Sequence, residues 1–199
     1  MQATLRFILI GSSSLLLANT AQADGPSFDC SKVAKDSIEA HICQSSELSA
    51  LDRQLASVYA AAKKKAVNQH PPQLKAEQRG WIKGRNDCWK ASEQNQCIKD
   101  SYQQRIAELQ ARYQLLPGNG PFTFICDGDA RNQVIATFYP TEPATLLAER
   151  GDSVALMYQV VSGSGAKYAG RNEMFWEHQG EATIRWGFEA PELHCKKSS

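Results

Sequence analysis

Leu116-Pro117-Gly118-Asn119-Gly120-Pro121 divides the chain in two. Prolines lack a backbone donor and fix φ, and the glycines between them open turn conformations, so no helix runs through this stretch. Upstream, apolar residues recur at helical spacing from Ser46 to Tyr113; downstream the period falls to two. The pattern predicts an α+β protein of two domains. A small disulfide-linked three-helix domain occupies residues 24–116, a linker residues 117–121, and roughly eight antiparallel strands, spaced as in a barrel or a sandwich, residues 122–199.

Leu48, Leu51, Leu55, Val58, Tyr59 and Ala62 form one helical stripe, with Ser46 before Glu47 as the expected N-cap. Pro71-Pro72 ends that helix and starts a second, which carries Leu74, Trp81, Ile82 and Cys88. A third carries Ile98, Tyr102, Ile106, Leu109 and Tyr113. Lys63-Lys64-Lys65 reads as a solvated face rather than a binding patch. Below about 70 to 80 residues a helical core is marginal, so Cys30, Cys43, Cys88 and Cys97 are expected to staple it. Antiparallel first and second helices would bring Cys43 near Cys88 and leave Cys30 for Cys97. The sequence also admits Cys30 with Cys43 and Cys88 with Cys97.

Alternating runs at Phe122–Ile125, Val134–Phe138, Thr145–Leu147, Val154–Val161, Ala166–Tyr168, Met174–Trp176, Ala182–Trp186 and Leu193–Cys195 are separated by glycine-rich and aspartate-rich turns. Cys126 and Cys195 bracket these runs, and closing so long a loop contributes on the order of 4 kcal/mol in the chain-entropy model.

Of 199 residues, 22 are basic and 21 acidic, which gives no long-range field to hold a polyanion or a polybasic membrane contact. The helical half from Asp24 carries 14 basic and 11 acidic residues and the half from Pro117 carries 7 and 10, a charge of +3 against −3. The acidic β half favours a basic partner. Residues 1–23, with Arg6 before the apolar run Phe7–Ala18 and small residues at Ala21 and Ala23, read as a secretory signal peptide. The mature protein is therefore expected in the periplasm without a membrane anchor, with secretion as the alternative, and Ser27-Phe28-Asp29 before Cys30 does not resemble a lipid-attachment site. In an oxidising compartment six cysteines read as three disulfides. No C-x-x-C is present and His41, His70, His178 and His194 are scattered, so no metal or other cofactor is expected. Nor is catalysis: there is no G-x-S-x-G or H-E-x-x-H, and Ser164 with His178 lacks a patterned acid and oxyanion hole.

Ser162-Gly163-Ser164-Gly165-Ala166-Lys167-Tyr168, then Phe175-Trp176 and Gly180-Glu181-Ala182, between Cys126 and Cys195, resembles the MliC/PliC family of bacterial inhibitors of c-type lysozyme. In the helical half, Phe28-Asp29-Cys30, Ile42-Cys43, Leu51-Asp52, Glu77-Gln78-Arg79, Trp81, Cys88, Cys97, Tyr102 and Arg105 resemble the LprI-like lysozyme-inhibitor N-terminal domain. The first resemblance implies that residues 122–199 form a small antiparallel eight-stranded β-barrel that pushes a loop into the cleft of c-type lysozyme, a basic protein, where a serine and a lysine meet the catalytic carboxylates. It places Ser162, Ser164, Gly165, Lys167, Tyr168, His178 and Gln179 in that lysozyme-binding region, with Ser164 as the inserted serine. The family lysine has no counterpart: His178 or Gln179 stands there, according to register. A histidine is only partly charged near neutrality, so inhibition that relies on His178 is expected to strengthen as pH falls from about 8 towards 6. The alternative function is a cell-envelope glycan or peptidoglycan-binding module using exposed aromatics, although Trp81, Trp89, Trp176 and Trp186 are expected mainly to pack in or against the cores.

Overall fold

The computed structural model describes residues 25–68 and 73–198; the expected leader and the Pro71-Pro72 break lie outside these. Among the described residues four α-helices rather than three precede the strands: α1 (Ile38–Gln44), α2 (Ser46–Lys65), α3 (Leu74–Asn86) and α4 (Gln94–Arg112). The extra helix, α1, is two turns long and buries only Ile38 and Ile42, too few positions for periodicity to reveal it. The Ser37 hydroxyl caps it by accepting from the Ala40 N–H. One residue separates α1 from α2, and that residue, Ser45 rather than Ser46, caps α2 by accepting from the Leu48 N–H. The Ser49 hydroxyl then donates to the Ile42 carbonyl at 2.8 Å, tying α2 back onto α1.

This local turn decides the disulfides. Cys43 ends up beside Cys30, and a short 3-10 turn (Asp87–Lys90) brings Cys88 to Cys97, so the bonds are Cys30–Cys43 and Cys88–Cys97. The cross-helix pairing Cys43–Cys88 with Cys30–Cys97 is thereby overturned. Each bond closes a short stretch, 13 and 9 residues in separation, for about 3 kcal/mol each in the chain-entropy model. The sulfur of Cys30 is thus already committed.

What crosses between the helices is a buried polar chain. The Arg85 guanidinium donates to the Tyr102 hydroxyl at 2.8 Å and to Glu39 at 2.5 Å; the Tyr102 hydroxyl donates to Asp52 at 2.8 Å; and Asp52 accepts from the Ser27 N–H at 2.6 Å. Charges at this depth persist only when paired and hydrogen-bonded. Around them Ile42, Leu48, Leu55, Ile98, Ile106 and Leu109 form the helical core.

Strands β1 (Asn119–Cys126), β2 (Gln133–Tyr139), β3 (Thr145–Arg150), β4 (Ser153–Val160), β5 (Ala166–Ala169), β6 (Glu173–His178), β7 (Glu181–Trp186) and β8 (Glu192–Lys197) pair antiparallel in sequence order and close into a barrel. The β1–β8 seam pairs Phe124 with Lys197 and Ile125 with Lys196, and Cys126 is bonded to the facing Cys195. Phe124, Val134, Leu146, Met157, Tyr168, Phe175 and Ile184 fill the interior, with Phe124 and Phe175 edge to face at 5.2 Å. The helical half docks through α4 against β3 and β4, where the Tyr158 hydroxyl donates to the Gln104 carbonyl. Burial there raises the Tyr158 pKa well above its ordinary value, Glu108 adds to the rise, and Arg112 and Arg105 oppose it.

Removing the Tyr102 hydroxyl leaves buried Arg85 and Asp52 each short of a partner. Tyr102→Phe is expected to lower the stability of the helical half by about 1–3 kcal/mol, read as an earlier urea midpoint in helical circular dichroism.

Candidate functional site

The segment from Val161 to Gly165 joins β4 to β5 at the barrel end that also holds the β6–β7 turn, the β2–β3 connection and the end of β8. Its shape is set by one carbonyl. The backbone oxygen of Ser164 accepts from the Ser162 hydroxyl at 2.7 Å and from the Trp176 indole N–H at 2.9 Å, so the loop is closed on itself and tethered to β6. Gly165 follows with φ +63, and a Cβ there would lie 2.2 Å from the Glu177 carbonyl oxygen. Only glycine fits that close approach in that conformation. Gly163 has open space around it. The outcome is an exposed Ser164 on a loop whose backbone is fixed from below.

Facing positions carry the site onto the neighbouring strands. Lys167 pairs with Trp176, Trp176 with Thr183, and Thr183 with His194, which makes one outward row across β5–β8. The next row runs from His178 through Glu181 to Lys196. The turn between His178 and Glu181 is a two-residue hairpin in which Gln179 (φ 55) and Gly180 (φ 85) both take left-handed conformations. Ser164, Trp176, His178, Glu181, His194 and Lys196 share a groove of about 330 Å³ on the outer face of the barrel. Lys167 holds its ammonium 5.4 Å from the Trp176 ring centroid, a cation–π contact that steadies the tryptophan.

The residues expected at the site therefore fall into different places. Ser164 and His178 line the groove; Gly165 lies against Glu177 and His178, and Lys167 over the Trp176 ring; Ser162 shapes the turn; exposed Gln179 occupies the hairpin. Tyr168 points into the barrel, its ring 5.5 Å from that of Phe138, and burial raises its hydroxyl pKa, with Glu177 adding to the rise. It belongs to the barrel core. Lys196 escaped the reading of the sequence because it lies far along the chain from Ser164, and only the β7–β8 register brings the two together; the alternation outward from inward-facing Cys195 was the one available signal.

The charges also separate in a way the totals conceal. Lys167, Lys196 and Lys197 lie toward the loop end, with Glu142, Glu177 and Glu181. Arg131, Arg150, Arg171 and Arg185 lie toward the opposite end, against Asp127, Asp129, Glu149, Asp152, Glu173, Glu189 and Glu192. The barrel's net −3 therefore sits away from the loop, which is balanced and flanked by cationic and imidazole side chains.

Comparison with known proteins finds one family in each half. Residues 124–193 match the family model described as membrane-bound lysozyme-inhibitor of c-type lysozyme. Residues 30–109 match the model described as lysozyme inhibitor LprI. Both halves match lysozyme-inhibitor families. The match to the first spans most of the barrel, including the Ser164 loop and the His178 hairpin, and the match to the second spans α1 through α4 up to Leu109. The whole chain is similar to lipoprotein LprI of Mycobacterium tuberculosis, 29% identical over 182 residues that cover 90% of this chain and 88% of the relative. The same figures hold for lipoprotein LprI of Mycobacterium bovis. No solved structure matches the chain. These families support a lysozyme-inhibitor role with lysozyme as the partner, and they are inhibitor rather than catalytic domains. Among the described residues no helix is long and apolar enough to cross a membrane.

The two loop glycines give a paired test. Gly165→Ala is expected to displace the loop, costing about 1–3 kcal/mol, whereas Gly163→Ala stays within about 0.5 kcal/mol of the parent. Thermal denaturation of both variants checks the contrast.

Proposed function

We propose that the protein is a periplasmic inhibitor of c-type lysozyme that seats the Ser164 loop in the enzyme's active-site cleft, acting as a plug without catalysis or cofactor of its own. The observation that carries this reading is the double tether on the Ser164 carbonyl, from Ser162 and Trp176, which leaves the Ser164 residue exposed on a fixed backbone. A loop already ordered in the free protein loses little conformational freedom on binding, so more of its contact energy appears as affinity. A retaining glycosidase cleft presents two carboxyl groups about 5–5.5 Å apart, one protonated and one ionised. A hydroxyl donates to the ionised group or accepts from the protonated one, and the loop fills space that the sugar chain needs. Periplasmic residence is supported by the leader-like residues 1–23 and by the pairing of all six cysteines.

A second reading, a glycan or peptidoglycan-binding module, draws on Trp89 and Trp176, which are 66% and 38% exposed. Retention on immobilised lysozyme against pull-down with peptidoglycan separates the two.

Ser164→Glu puts a third carboxylate against the two of the cleft and is expected to weaken inhibition about 100-fold or more while the barrel stays folded. Unchanged inhibition would remove the loop from the interface. His178→Ala, assayed at pH 6 and pH 8 beside the parent, is expected to flatten any gain of inhibition on acidification; an unaltered profile dismisses His178 from the contact.

A further inference from the structure

We infer that Lys196, on the last strand, is the cation that pairs with a partner carboxylate beside Ser164, and that Glu181 restrains it in the free protein. This rests on the proposed docking of the Ser164 loop and adds a residue to it. Lys196 lines the same groove as Ser164 and His178 although it belongs to a different strand from either. Its backbone is held on both sides, opposite Ile125 on β1 and opposite Glu181 on β7, and it follows directly on the Cys126–Cys195 bond, so its point of departure from the barrel is rigid.

The side chain itself is available. Lys196 is 80% exposed, and its ammonium lies 3.0 Å from a Glu181 carboxylate oxygen that belongs to a residue 69% exposed. A pair so open to water is weak, because each ion is well solvated alone, and an ammonium on four methylenes swings to a better acceptor at little cost. Glu181 also faces His178 across the hairpin, so one carboxylate sits between two basic side chains. A partner carboxylate entering the groove next to Ser164 would compete for Lys196 and be repelled by Glu181. The groove thus favours an acidic occupant through Lys196, His178 and His194 and carries one built-in opponent. A glycosidase cleft, the partner surface proposed above, supplies such a carboxylate.

The two residues should therefore act with opposite signs. Inhibition constants against a c-type lysozyme are to be measured for Lys196→Gln, Lys196→Arg, Glu181→Gln and the far-end control Arg131→Gln, whose side chain is 91% exposed, each first shown to melt as the parent does. Lys196→Gln is expected to weaken inhibition about ten-fold, Lys196→Arg to keep it, and Glu181→Gln to strengthen it several-fold. Arg131→Gln should leave it unchanged. If Lys196→Gln and Glu181→Gln are both silent while Ser164→Glu abolishes inhibition, Lys196 is not at the contact and only this inference falls. If Arg131→Gln weakens inhibition as much as Lys196→Gln, the effect is one of net charge and the inference also falls. Absence of inhibition by the parent protein defeats the docking reading itself.

Discussion

Closure of the barrel through β1 and β8 is the constraint on which the candidate site depends. The seam is a short ladder, Phe124 to Lys197, Ile125 to Lys196 and Cys126 to Cys195, locked by a disulfide across 69 residues of separation. A bond over so long a loop contributes about 4 kcal/mol in the chain-entropy model, more than either bond in the helical half. Its positional effect matters as much. It fixes which way β8 faces, and because β8 also pairs with β7 it sets His194 and Lys196 opposite Thr183 and Glu181, which in turn face Trp176 and His178 on β6. An open sheet would leave β8 with a free edge and no fixed relation to the Ser164 loop.

Much of the fold was legible because the periods in the two halves differ and the Leu116–Pro121 break is unambiguous. All eight strands overlap the alternating runs, and helices α2, α3 and α4 carry the apolar stripes read for them. The strand bounds slipped at the break itself: β1 begins at Asn119, inside the stretch read as linker. The helix that escaped, α1, has seven residues and two buried ones, below what periodicity resolves, and missing it misdirected the preferred pairing of four cysteines. At the site, the hairpin and its glycines are local and could be read from the chain. Lys196 and the tether from Trp176 to Ser164 depend on register between strands, which a one-residue shift would reverse.

The two halves hold themselves together by different means. The barrel has a continuous apolar interior, with aromatic rings edge to face. The helical half has a smaller core threaded by the Glu39–Arg85–Tyr102–Asp52 chain, and its two disulfides act within single connections rather than between distant helices. Orientation of the helices therefore falls to polar groups, whose geometry is stricter than that of apolar contact. Asp52 extends the same control to the start of the described chain by holding the Ser27 N–H.

The docking of α4 on β3 and β4 has a consequence for crowding. In a closed ring of eight consecutive strands, β3 and β4 lie diametrically across from β7 and β8, so the helices and the Lys196 groove stand back to back. A bulky molecule seated on one side leaves the other unobstructed, and the short passage from Tyr113 to Gly118 leaves no slack for the helices to swing round and share the load. A molecule held in the groove therefore meets the barrel on the side turned away from the helices.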